Sequence, residues 1–192
     1  MGIMFATQKP SRTMNLSPGA QLGAYYRIEE QIGQGGMATV YRARHSVLDS
    51  LHAIKVLQPH LAADKALRVR FLEEGRIQAQ MRHPHILPVT DLINEPGCAG
   101  LVMRWLDGRD LRERLEAGPV SLSDGLTWTL QTLSALALVH EQGVIHRDLK
   151  PENLFLEEIH GGVHLQVMDF GIAKVVDKHR TRTGVAMGSL YY

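Results

Sequence analysis

The sequence predicts an α+β protein in two parts, a β-rich half carrying one helix followed by a helical half. Three observations predict it. Short apolar runs with strand-like spacing, broken by Gly and Pro, recur from Tyr25 to Leu106. A single stretch of helical period interrupts them at residues 63–82. Beyond Asp107 the apolar spacing itself becomes helical.

Taken in order, residues 1–24 carry Lys9, Pro10, Ser11, Arg12, Pro18 and Gly19 without a periodic apolar pattern, and are expected to form a flexible tail. Met14 is a second candidate start. YYRIEEQI from Tyr25 is a strand, then comes a Gly-rich turn, then the strands TVYRARH and LHAIKVL. ADKALRVRFLEEGRIQAQMR is the helix, closed by HPHI. ILPVTDLI and CAGLVMRWL are two further strands around the turn NEPG. DLRERLEAG is a short helix ended by Gly118, and residues 122–143 form a longer one with Leu126, Leu130, Leu133 and Ala137 on one face. The octet HRDLKPEN follows, then a hairpin LFLEEIHGGVHLQVM, then an irregular basic stretch to Tyr192.

Composition narrows the function. With 44% hydrophobic and 21% charged residues, a chain of 192 residues is globular and buries a sizeable core. A net charge of +1 makes no case for nucleic acid or an anionic membrane as partner. Cys98 is the single cysteine, which excludes an internal disulfide and fits a reducing, cytoplasmic setting. No apolar run approaches the roughly 18 residues of a membrane span, and MGIMFATQKPSR has no signal-peptide pattern. Gly2 invites myristoylation, but Ala6 stands where the acceptor pattern asks for Ser or Thr.

Four local patterns carry chemistry. On the helix at 63–82, Leu67, Phe71, Gln78 and Met81 share a stripe that includes Glu74 and omits Glu73. A carboxylate on a buried face needs a cation, and Lys55, inside the apolar strand AIKVL, needs a carboxylate; alternatively Glu74 sits wet at the stripe's edge. IGQGGMATV lies between two strands, where glycines let backbone N–H groups approach a phosphate, or merely form a turn. It lacks the Gly-Lys-Ser/Thr of a P-loop, and no helix follows as a dinucleotide fold requires. In HRDLKPEN, Asp148, Lys150 and Asn153 supply a base, a phosphate-neutralising cation and an oxygen ligand for a hard metal, the set phosphoryl transfer asks for. Asp169 in MDFG, at the end of an apolar run, offers a second oxygen ligand. The ten histidines show no zinc spacing, so His83 and His85 are read as structural.

In this order the motifs resemble those of a eukaryotic-type serine/threonine protein kinase, of the Hanks type also found in bacteria. The resemblance runs from about Tyr25 to Tyr192 through GQGGMATV, AIK, Glu74, HRDLKPEN and DFG. A Lys two places after Asp148 is similar to serine/threonine rather than tyrosine kinases. The resemblance implies a bilobal fold: an N-lobe over residues 25–105 and an incomplete, helical C-lobe over 106–192 that ends in the activation segment. It implies ATP with Mg²⁺ or Mn²⁺ as cofactors. Gly33 and Gly35 would cover the phosphates. Ile32, Val40 and Ala53 would roof the adenine pocket and Phe155 would floor it. Lys55 would hold the α- and β-phosphates, oriented by Glu74. Met103 would guard the back of the pocket, and the backbone through Arg104, Trp105 and Leu106 would bind adenine. Asp148 would accept the substrate hydroxyl proton, Lys150 would steady the γ-phosphate, and Asn153 and Asp169 would bind the metal; His146 would be structural. Thr181 and Thr183 would be regulatory phosphosites with Arg147 as a phosphate partner, and Ser189 would meet Asp148 and Lys150. Protein substrates and self-association for trans-autophosphorylation are the implied partners.

Several positions depart from the family pattern. Ala38 replaces the third glycine, and His52 stands where an aliphatic residue is usual. Arg104 replaces a frequent acidic residue, with its effect expected on ribose or substrate preference. Gly75 directly after Glu74 is expected to loosen the helix by up to about 1 kcal/mol. The chain stops at MGSLYY, before an Ala-Pro-Glu segment, so a fragment of a longer kinase, a truncated gene product or an excised piece of one is expected. Two other functions compete: a catalytically inactive nucleotide-binding or interaction module, and a small-molecule phosphotransferase. The latter group usually lacks the Arg-Asp-Leu-Lys-Pro run present here.

Overall fold

The structure is a computed structural model and describes residues 16–170. Its larger sheet has six antiparallel strands in the order β1-β2-β3-β4-β6-β5. These are β1 (Gln21–Leu22), β2 (Tyr26–Gln34), β3 (Ala38–His45), β4 (Leu51–Leu57), β5 (Val89–Glu95) and β6 (Cys98–Arg104). Between β4 and β5 come one turn, α1 (Pro59–Ala62), and a long helix, α2 (Lys65–Gln80). A smaller antiparallel sheet joins β7 (Gly108–Asp110), β8 (Leu154–Ile159) and β9 (Gly162–Val167). Two helices, α3 (Leu111–Glu116) and α4 (Leu122–Glu141), separate β7 from β8.

The helices begin where side chains can satisfy orphan amides. Asp64 accepts from Ala66 and Leu67 at the start of α2, Asp110 from Glu113 at α3, and Ser121 from Asp124 at α4. α2 lays Phe71, Leu72, Glu74, Gly75 and Gln78 against the sheet. Gly75 makes that approach close: a Cβ there would meet Leu101 Cδ2 at 2.4 Å and Leu92 Cδ2 at 2.7 Å. So Gly75 costs helix propensity yet lets α2 sit down on β5 and β6, a packing role its spacing alone does not reveal.

Among the described residues, three apolar clusters form the core. One fills the space between α2 and the large sheet, around Phe71, Leu72, Leu101 and Met103. A second lies on the other side of that sheet, around Leu22, Ile28, Ile54 and Val102. The third joins α4 to the small sheet, around Trp128, Val139, Leu165 and Phe170.

Two expectations need correction. The tail of residues 1–24 does not persist to Tyr25: Gln21 and Leu22 pair with Arg27 and Tyr26, and Leu22 is completely buried. One apolar residue in a Gly-rich run leaves no periodicity to read, yet it completes a core. On α4, the expected face of Leu126, Leu130, Leu133 and Ala137 is exposed, and Trp128, Thr132, Ala135 and Val139 are buried instead. The helix is apolar around more than one face. The large ring of Trp128 and the bond from the Leu165 amide to Gln131 Oε1 (3.0 Å) select the side that meets β9. None of the described helices is long and apolar enough to cross a membrane.

Candidate active site

A cleft of about 440 Å³ opens where the two sheets meet the connection after β6. From the large sheet it is lined by Ile32, Gly33, Val40, Ala53, Lys55 and Met103. Trp105 and Leu106 of the connection, Phe155 of β8 and Asp169 complete the predicted set. An adjoining cavity of about 250 Å³ shares Val40, Lys55 and Asp169 and adds Gly35, Glu74, Asp148, Lys150 and Asn153. The two cavities therefore gather every catalytic, nucleotide and metal residue foreseen between Ile32 and Asp169, while Arg147 lines neither. Thr181, Thr183 and Ser189 lie outside the described residues.

Strand register explains the roof. Gly33 pairs with Val40, Val40 with Lys55 and Ala53 with Met103, so these residues fall side by side across four strands. The Gly-rich turn is closed by the Gly35 amide on Ala38 O (2.8 Å). Gln58 pins it from outside, its Nε2 donating to Gly35 O at 2.7 Å and its amide to Met37 O at 2.9 Å. Ala38, in place of a third glycine, is buried at the start of β3.

Lys55 carries the electrostatic centre. Its Nζ lies 2.9 Å from Asp169 Oδ1. Burial pulls the ammonium toward its neutral form, but the charges of Asp169 and then Glu74 outweigh that, and its pKa is raised overall. Glu74 is buried on α2, whereas Glu73 is exposed and paired with Arg76 at 3.0 Å. Asp169 takes φ +54°, in the left-handed region that few non-glycine residues adopt.

The catalytic-loop octet is held by its own polar groups. Asn153, buried in a short 3₁₀ turn (Pro151–Asn153), donates through Nδ2 to Asp148 O (2.8 Å) and Asp148 Oδ2 (3.2 Å). Its amide N–H₂ is thereby committed, which turns the amide oxygen into the group available to a hard cation. Lys150 Nζ stands 3.9 Å from Asp148 Oδ2. His146 accepts the Asp148 amide at Nδ1 (3.3 Å) and meets Met168 O through Nε2 (2.9 Å). These partners make Nε2 the protonated nitrogen of a neutral ring, and burial lowers its pKa accordingly. The ring also packs on Phe170, centroids 4.8 Å apart. Met168 in turn donates its amide to Asn153 O at 2.9 Å. Asp148, Asn153 and Asp169 are thus tied together through backbone and imidazole. Arg147 takes φ +62°, another left-handed residue in this loop.

The donor set fits a divalent hard cation. Mg²⁺ keeps several waters and substrate oxygens and takes only one or two protein oxygens, here an amide and a carboxylate. Among the described residues no cluster of three or more His, Cys, Asp or Glu could hold a metal by protein ligands alone.

Two contacts fix the connection. The Trp105 amide donates to Leu51 O at 3.4 Å, and Trp105 lines the cleft. Arg104 also lines the cleft, and its guanidinium pairs bidentately with buried Glu157 on β8, with Nη2 at 2.7 Å from Oε2. The sequence also left several lining residues unnamed. Leu87 and Met168 extend the cleft's apolar surface, and Asp110, Glu113 and Glu152 edge it. Met168 and Glu152 had a signal, the first directly before Asp169 and the second inside HRDLKPEN.

A two-sheet fold with a glycine turn, a paired strand lysine and a polar loop gathered around one cleft defines the architecture of the protein kinases. A protein-family model described as the protein kinase domain matches residues 26–192, and the chain belongs to that family. Its relatives place it among the eukaryotic-type serine/threonine kinases of bacteria. It is 38% identical over 184 residues to serine/threonine-protein kinase PkaA of Streptomyces coelicolor, covering 89% of this chain and 34% of that protein. It is 37% identical over 171 residues to PknJ of Mycobacterium tuberculosis, covering 88% and 29%. With PrkC of Bacillus subtilis it shares 35% identity over 176 residues, covering 91% and 27%. The chain thus spans about a third of the length of these curated relatives. Its fold is similar to the crystal structure of the Mycobacterium tuberculosis PknI kinase domain, with a TM-score of 0.69 and 31% identity over 81% of this chain and 63% of that one.

Proposed function

We propose that the protein transfers the γ-phosphate of ATP to serine or threonine hydroxyls of proteins. The observation that carries this reading is the convergence of Lys55, Asp169, Asp148, Lys150 and Asn153 on adjoining cavities. Adenine enters the larger cleft between Val40, Ala53, Met103 and Phe155. Lys55 neutralises the inner phosphates, and Glu74 and Asp169 keep it charged and oriented. Asp148 takes the hydroxyl proton as the nucleophile attacks, and Lys150 neutralises charge on the transferred group. Asn153 and Asp169 would hold Mg²⁺ or Mn²⁺, which supplies charge neutralisation and alignment of the phosphates. Phosphorylation of Thr181 or Thr183 by a second copy, with Arg147 pairing the phosphate, is the proposed activation step, with proteins rather than nucleic acid as partners and the cytoplasm as setting.

The test is phosphate transfer from labelled ATP to a generic basic protein, with Asp148→Asn as control and calorimetric ATP·Mg²⁺ binding alongside. Transfer that Asp148→Asn abolishes while binding persists supports the kinase reading. Binding without transfer in the wild type supports an inactive nucleotide-binding module, and absence of both overturns the nucleotide reading.

A further inference from the structure

Arg104 occupies the point where the large sheet hands the chain to the connection that borders the cleft. Its side chain spans from β6 to Glu157 on β8, and both carboxylate oxygens are taken. Glu157 is 8% exposed, and Gln166 of β9, 3% exposed, donates to its Oε2 at 3.2 Å. The same Gln166 amide donates to Pro84 O at 3.0 Å, in the loop that leads from α2 to β5. A polar chain, buried at Glu157 and Gln166 and open to solvent at Arg104, therefore joins the connection, both hairpin strands and the end of the α2 segment. At its other end the connection is anchored again, the Glu158 amide donating to Asp107 O at 2.8 Å. Trp105 and Leu106, which wall the cleft, lie between these two anchors.

We propose that Arg104 is a positioning residue for the nucleotide, acting through Glu157 to hold the main chain of Trp105 and Leu106 in the geometry that receives the base. The proposal rests on the kinase reading given above. The physics is preorganisation: a bidentate guanidinium–carboxylate pair removes freedom from a short irregular segment before a ligand arrives. Glu157 is buried, and the Arg104 guanidinium supplies the charge that compensates it. Lysine cannot reproduce the two-point contact.

The test uses the 192-residue chain as wild type, Arg104→Met, Glu157→Gln and the double variant. Calorimetric ATP·Mg²⁺ binding is measured with amide hydrogen exchange of Trp105 and Leu106 in the free protein. Each single variant is expected to bind ATP about threefold to tenfold more weakly, and the double variant no more weakly than the worse single one, since both break one pair. Exchange at the two amides is expected to quicken while β3 and β4 retain their protection. Arg104→Lys, which preserves the charge and guards against misfolding, is expected to fall between. Affinity within about twofold of wild type, additive penalties or unchanged exchange would overturn the positioning role. Wild-type protein that binds no ATP overturns the nucleotide reading itself, so the two failures are distinguishable.

Discussion

Lys55, in the middle of a strand of the large sheet, and Asp169, just beyond the small sheet, meet at 2.9 Å. This contact brings the two sheets' polar groups to one point, although the residues are far apart in the chain. Replacing Lys55 by Met removes the cation and leaves Asp169 facing the cleft without that partner. We predict phosphate transfer reduced by about a hundredfold or more, with an unchanged far-ultraviolet dichroism spectrum. Transfer rates measured at saturating ATP check it, and a variant as active as wild type would remove Lys55 from the machinery.

Gly75→Ala pits local propensity against packing. Alanine favours the helix by about 1 kcal/mol, but its Cβ would stand 2.4 Å from Leu101 Cδ2. We expect overpacking to win, with a net loss of about 1–3 kcal/mol in urea unfolding and weaker ATP binding as α2 shifts Glu74. Trimming Leu101 to Ala in the same variant should recover part of the nucleotide affinity. A stabilised Gly75→Ala protein would show that the leucines rotate away freely.

Gly108 admits no such relief. It has φ +141°, and a Cβ would lie 2.0 Å from Leu156 O, a backbone atom in the paired strand. Gly108→Ala should therefore break the β7–β8 pairing at a cost of about 3 kcal/mol or more. The thermal midpoint is the measurement, and a midpoint equal to wild type would contradict the register.

Three histidines give stability a pH dependence. His52, His83 and His146 all have pKa values below the ordinary 6.5, with burial as the leading cause in each. A group whose folded pKa is depressed contributes its full stability above the unfolded value and loses it as pH falls toward the folded one. Stability should thus decline as pH drops below 6.5, and substituting His146 with Asn should flatten part of that slope. Denaturant midpoints across this range test the sign; a rise in stability on acidification would refute it.

Much of the site could be read from the sequence because it is written in spacing. Helical period picked Glu74 over Glu73, and the structure buries the first and exposes the second. Strand period put Lys55 within a buried run, and β4 spans Leu51–Leu57 as the pattern indicated. β1 and β7 escaped notice because strands of two and three residues are too short to show a period. The buried face of α4 was misjudged because leucines occur around the helix, and only the neighbour decides which side is covered.

By itself, then, the sequence determined the order of the longer strands and helices, the residue types that phosphoryl transfer asks for, and the family to which the chain belongs. These follow from local period and from residue type at fixed spacing. The tertiary structure decided which of these groups touch: that Lys55 reaches Asp169, that Gly75 serves packing, and that Arg104 pairs with Glu157. Such pairings depend on distances between segments remote in the chain. Burial then makes the choice of partner energetically decisive, because a polar group removed from water must be matched by whatever side chain the fold brings within reach.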